Sequence, residues 1–279
     1  MNGGIEGRVV VKAVCICALA WANSMQPVKA DCVKSNEPGY RVVMRIDWRD
    51  GIPRSAGVQT ATGQATTIVK TNPSAEPRLR IQINRSDPFG RVANGVPRAE
   101  LSLGATKIVN GSEYLLDWST TLSDDFSFDY SQPEIVTQIL QGGRTLGAPP
   151  VALVINGDHY ELRVHSDVPH SMRAYKFGSI QNDRGRTVCW RLHYIPGTVG
   201  EKSTTELYKD GQQVVSEYDQ GNAYSGDNDA SIKVGIYKWL WLAQRSDVRS
   251  LTIEYGNVTL SRKDPVPAGA AGSSIGGRL

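Results

Sequence analysis

Between residues 40 and 260 the chain is written almost entirely in short runs of alternating apolar and polar residues, cut by turn residues, with almost nothing at helical spacing. A period of two places successive side chains on opposite faces of a pleated strand, so each run can bury only one face. The runs Tyr40–Ile46, Ala65–Lys70, Arg78–Ile83, Arg98–Leu103, Glu113–Ser119, Glu134–Leu140, Val151–Ile155, His159–Val164, Thr187–Tyr194, Thr204–Lys209, Ile232–Trp239 and Val248–Leu260 read as strands, the last broken near Gly256. Asn156-Gly157-Asp158 and Lys209-Asp210-Gly211 read as hairpin turns, because Asn-Gly and Asp-Gly accept the positive φ of tight hairpins. A dozen strands without βαβ alternation predict an all-β fold, a β-jelly-roll (concanavalin-like) sandwich of two antiparallel sheets.

The two ends read differently from this middle. Arg8 and Lys12 precede the apolar run Ala13–Ala22, and Val28-Lys29-Ala30 offers small residues for cleavage, so residues 1–30 read as an export signal. The run is too short to span a bilayer comfortably, and no later segment is apolar enough to do so. A secreted or periplasmic protein is expected, with the sandwich over 31–263 and a Pro-, Ala- and Gly-rich disordered tail over 264–279. Removal of Cys15 and Cys17 with the signal leaves Cys32 and Cys189, either bridged or as two free thiols. Lys plus Arg exceed Asp plus Glu by only 31 to 28 and are scattered, which argues against a nucleic-acid partner. The chain is expected to act as a monomer away from membranes. No spacing resembles a zinc site, and no cofactor is expected; Asp124-Asp125 and Asp227-Asn228-Asp229 leave a structural calcium ion open.

Strand alternation sorts the chemistry by face. In Arg98–Leu103 the apolar set Ala99, Leu101 and Leu103 points inward, leaving Arg98, Glu100 and Ser102 outward. In Glu134–Leu140 the inward set is read as Ile135, Thr137 and Ile139, with Val136, Gln138 and Leu140 outward. In Ile232–Trp239 the set Ile232, Val234 and Ile236 is inward, so Lys233, Gly235, Tyr237 and Trp239 share the outer face. Singly, each of these residues reads as an ordinary solvated or packing side chain.

As an ordered set, Arg98-Ala99-Glu100-Leu101, Gln138-Ile139-Leu140 and Lys233-Val234-Gly235-Ile236-Tyr237-Lys238 resemble the three signature strands of jelly-roll polysaccharide lyases. The chain is similar to the heparin lyase I and glucuronan lyase group, and more distantly to alginate lyases whose strands read Arg-x-Glu-Leu, Gln-x-His and Tyr-Lys-x-Gly-x-Tyr. The resemblance covers about Arg78 to Leu260 and includes the Pro149–Val164 hairpin and the Trp190 strand. It implies β-elimination on a uronic-acid polymer, an anionic polysaccharide. Arg98 and Gln138 would neutralise the uronate carboxylate, Tyr237 would move the proton, Glu100 would orient Arg98, and Lys233, Trp239 and Tyr175 would contact substrate. A free tyrosine has a pKa of about 10, so a tyrosine base calls for nearby positive charge, from Arg98 or Lys233.

Leu140 stands where related lyases often carry a histidine. Three readings follow: Tyr237 serves alone as base and acid, another histidine substitutes (His193 first, then His159, His165 or His170), or catalysis is lost and a carbohydrate-binding jelly-roll protein remains. A glucan hydrolase is disfavoured, since no Glu-x-Asp-x-x-Glu strand is present.

Overall fold

A computed structural model describes Cys32 and residues 37–143, 145–168 and 172–265. The export signal read in 1–30, His170 and tail residues 266–279 lie outside the described residues. Alternation produces the expected sandwich. One sheet holds nine strands: β1 (Tyr40–Ile46), β3 (Thr66–Val69), β4 (Arg78–Asn84), β6 (Tyr114–Leu122), β11 (Thr187–Ile195), β12 (Thr204–Lys209), β13 (Gln212–Tyr218), β15 (Ser250–Tyr255) and β16 (Val258–Lys263). The other holds seven, in the order β10 (Arg173–Phe177), β9 (His159–Val164), β8 (Val151–Asn156), β7 (Glu134–Leu140), β14 (Ser231–Tyr237), β5 (Arg98–Ser102) and β2 (Gly57–Thr60). Every strand pair is antiparallel.

β2, β10 and β13 were not among the runs read as strands, and all three lie at sheet edges. These three carry polar or exposed residues that blunt further pairing, so their alternation is weak, whereas the edge strands β1 and β3 alternate clearly enough to be read. The two hairpins form as read: Gly157 takes φ 60°, and Asp210 and Gly211 take 52° and 82°. Between the sheets Trp118 and Trp190 stack at 6.1 Å, and Tyr160 meets Trp190 edge-on at 5.0 Å. Truncating one such ring to alanine typically costs about 3–5 kcal/mol. The alternative left open for the cysteines closes as a bridge: Cys32 is joined to Cys189 of β11. Among the described residues no helix is long and apolar enough to cross a membrane.

One departure from regular pairing shapes the seven-stranded sheet. The register slips on β7 between Ile135 and Thr137, and on β14 between Val234 and Tyr237. Two adjacent bulges result, and a bulge reverses the facing of residues on one side of it. Gly235 carries φ 138° there, and a Cβ on it would overlap the Ala99 carbonyl oxygen. From β15 in the opposite sheet, the fully buried Tyr255 donates its hydroxyl proton between the carbonyls of Val136 and Gly235, the latter at 3.2 Å.

Candidate active site

The outer face of the seven-stranded sheet gathers the three signature strands side by side. β14 pairs with β5 so that Lys233 faces Ser102, Gly235 faces Glu100 and Tyr237 faces Arg98; on its other side Lys233 faces Gln138 of β7. The facing expected for β5 and β14 is therefore observed. On β7 the bulge corrects it: Val136 joins the main core, whereas Ile135 turns outward into a small cluster with Ala152 and Val154, covered by Tyr237 and Trp239. Gln138 lies beyond the bulge and keeps its outward phase.

Glu100 is the hub of this face. Its carboxylate accepts from Gln138 Nε2, from Arg98 Nη1 at 3.4 Å and from Lys233 Nζ at 3.3 Å. Gln59 of β2 accepts from the same two cations, at 3.4 Å from Arg98 and 2.8 Å from Lys233. Gln59 was not singled out in the sequence, because a four-residue edge strand inside a Gly- and Thr-rich stretch gives almost no periodic signal. Arg98, Lys233, Glu100 and Gln138 are 8%, 2%, 1% and 3% exposed. Two cations thus share one carboxylate in a desolvated floor, which leaves positive charge without its counter-charge. Burial, opposed by Glu100 and reinforced by Arg98, pushes the Lys233 ammonium below the ordinary lysine value.

Arg98 also lies over the Tyr237 ring, 4.1 Å from guanidinium carbon to centroid, and Tyr237 meets Trp239 at 5.8 Å. Tyr237 and Trp239 remain partly exposed at the mouth of this floor. The Tyr237 hydroxyl makes no hydrogen bond among the described residues, so it is free to meet a ligand.

Two expected site residues stand elsewhere. His193 lies on β11 of the nine-stranded sheet between Leu192 and Tyr194, which are both buried in the core, so its ring points away from the sandwich. There it meets Glu206 at 2.6 Å and Glu113 at 3.0 Å. Hydrogen bonds from Tyr40, Lys263 and His193 outweigh burial and hold Glu113 down to about 2. His193 therefore does not replace the histidine absent at Leu140: the thickness of the sandwich, ~10 Å between sheets, separates it from Tyr237. Tyr175 of β10 is opposite the core residue Leu162 and packs against the core, its hydroxyl on Glu217 of β13. Burial first, and that hydrogen bond second, push its phenol up. It closes the side of the sandwich and does not stack on substrate from the signature face. His159 contacts Asp158 and Glu161, and His165 contacts the Pro149 carbonyl; neither meets Tyr237, Arg98 or Gln138.

Among the described residues no group of three His, Cys, Asp or Glu side chains converges as a metal-ligand set. Asp227 caps a loop instead, accepting from the backbone N–H groups of Gly142 and Asp229.

The outer face of the seven-stranded sheet in this jelly-roll sandwich thus presents a desolvated cationic floor with an aromatic rim. The chain belongs to the polysaccharide lyase family, whose sequence model matches residues 42–255. No curated protein matches the sequence. Among solved structures, an endo-β-1,4-glucuronan lyase from the fungus Trichoderma reesei superposes with a TM-score of 0.63 at 15% identity, over 79% of this chain and 95% of that one. The alginate lyase A1-II′, of polysaccharide lyase family 7, gives 0.51 at 16% identity, over 73% and 86%. Alginate lyase Aly36B gives 0.50 at 15% identity, over 80% and 96%. At these identities the likeness establishes the jelly-roll fold, and the family match makes the protein a polysaccharide lyase.

Proposed function

We propose that this polysaccharide lyase cleaves a uronate-bearing chain by β-elimination on the outer face of the seven-stranded sheet. The observation that carries the reading is the Arg98–Lys233–Glu100 floor, two buried cations against one carboxylate, with Gln138 and Tyr237 beside it. A uronate carboxylate entering this floor supplies the missing negative charge. Removal of the C5 proton then places further charge on the carboxylate oxygens, where the Arg98 guanidinium and the second N–H of Gln138 stabilise it. The Tyr237 oxygen takes the C5 proton; the electron pair forms the C4–C5 double bond as the C4–O4 bond breaks. The same phenol returns a proton to O4, a syn path that needs no histidine at Leu140. Glu100 holds Arg98, Lys233 and Gln138 in place and does not react.

The neighbours support this substrate class: one is a glucuronan lyase, and Aly36B variants have been solved with alginate oligosaccharides. Export follows from the reading of residues 1–30, and the Cys32–Cys189 bridge supports an oxidising compartment.

The test is the ultraviolet absorbance of the unsaturated product from glucuronan, alginate, heparin-like and hyaluronan-like chains. Wild type is expected to generate it on at least one polymer, and Tyr237→Phe to lower kcat by roughly 10²–10⁴. Equal rates for the two proteins would refute the tyrosine mechanism. Binding without elimination across the whole panel would establish the carbohydrate-binding reading instead.

A further inference from the structure

Arg98, Tyr237, Trp239 and Arg163 form a series of contacts along the same face. Arg98 lies 4.1 Å from the Tyr237 ring, Tyr237 lies 5.8 Å from Trp239, and the Arg163 guanidinium lies over the Trp239 ring at 5.9 Å. Arg163 belongs to β9, where Leu162 and Val164 fill the core and leave it on the outer face. The pairings Lys233 to Gln138, Gln138 to Ala152 and Ala152 to Arg163 place it in one row with the cationic floor. Gln138 and Arg163 stand two strands apart, ~10 Å between backbones.

The guanidinium is held ready rather than used up. Its Nε and Nη2 donate to one oxygen of Glu161, at 3.0 and 2.8 Å. Glu161 is fixed in turn by Asn156 Nδ2 at 2.8 Å and by His159 at 3.3 Å. Nη1 has no partner among the described residues, and the side chain keeps 17% exposure. A pre-oriented N–H beside an aromatic ring suits a carboxylate attached to a sugar whose apolar face rests on that ring.

We infer that Arg163 and Trp239 form a second uronate subsite, two strands across from Gln138, in which Arg163 binds a carboxylate and Trp239 carries the sugar ring. The inference rests on the uronate reading above and sharpens it: the preferred substrate bears carboxylates on more than one residue, and affinity grows with chain length. Arg163 is a specificity residue, acting on binding and not on the proton transfer.

The test compares trimers and hexamers of whichever polymer wild type cleaves. Arg163→Ala is expected to raise KM for the hexamer about tenfold, the scale of one hydrogen bond to a charged group, while kcat and the trimer KM stay near wild type. An unchanged hexamer KM, or an equal rise for trimer and hexamer, overturns the proposal. Arg163→Ala also leaves Glu161 uncompensated before a polyanion, so Glu161→Gln/Arg163→Ala serves as the control. A persistent hexamer defect in the double variant supports carboxylate binding by Arg163; full recovery assigns the effect to Glu161 repulsion and overturns it. If wild type eliminates nothing, the lyase mechanism fails by itself, and calorimetry with glucuronan and alginate hexamers decides the subsite. Tenfold weaker binding by Arg163→Ala then supports it, whereas equal affinity, or no binding by wild type, overturns it.

Discussion

Lys238 sits in the chain between two residues of the candidate site, yet its side chain is fully buried on the other side of the backbone, 2.9 Å from Asp129 and 2.7 Å from Glu134. One ammonium cannot satisfy two carboxylates in the absence of water. Burial, only partly offset by Lys238, pushes Glu134 up to about 7, and its Oε1 has no hydrogen-bond partner. The folded protein therefore retains a proton that the unfolded chain releases near the ordinary value of 4.5. This contribution is fully present below about 4.5 and declines as pH rises towards about 7. Melting curves of wild type and Glu134→Gln between pH 4.5 and 8 should diverge in slope, with wild type losing more stability on the alkaline side. Parallel slopes would show that Glu134 ionises in the fold as it does in water.

At the scale of elements, the paired bulges on β7 and β14 decide what the active face displays. Without the slip, Ile135 would keep the inward phase that simple alternation gives it, and the apolar seat under Tyr237 and Trp239 would be missing. Gly235 and Tyr255 hold the bulges: a methyl group at 235 would lie 2.6 Å from the Glu100 Cα, and the Tyr255 hydroxyl reaches one carbonyl on each bulged strand, those of Val136 and Gly235. Gly235→Ala is expected to cost about 3 kcal/mol or more, since both obstructing atoms are backbone. Tyr255→Phe should cost about 1–3 kcal/mol, the penalty for removing a buried donor from the Val136 and Gly235 carbonyls. Denaturant titration measures both, and a Tyr255→Phe protein of wild-type stability would rule out the clamp.

At the scale of the whole molecule, the Cys32–Cys189 bridge spans 157 residues and ties the start of the described chain to β11. Cys189→Ser is expected to lower stability by about 2–5 kcal/mol, checked by denaturant titration under oxidising conditions, with no difference once both proteins are reduced. Alternation alone determined the all-β class, the facing of Arg98, Glu100, Lys233 and Tyr237, and the two hairpins at Gly157 and Gly211, because each depends on a period of two or on a positive φ within a few residues. The edge strands β1 and β3 were legible, but β2 with Gln59, β10 and β13 were not, since their polar and exposed residues leave too little regular alternation. His193 looked like a site residue because a strand sequence does not state which sheet the strand joins, and Tyr175 because β10, which does join the signature sheet, shows too little alternation to tell that its ring faces the core. Strand pairing across the chain decided that, along with the bulges, the gathering of two cations on Glu100 and the alignment of Arg163 with Trp239, each of which depends on backbone groups brought together from distant segments.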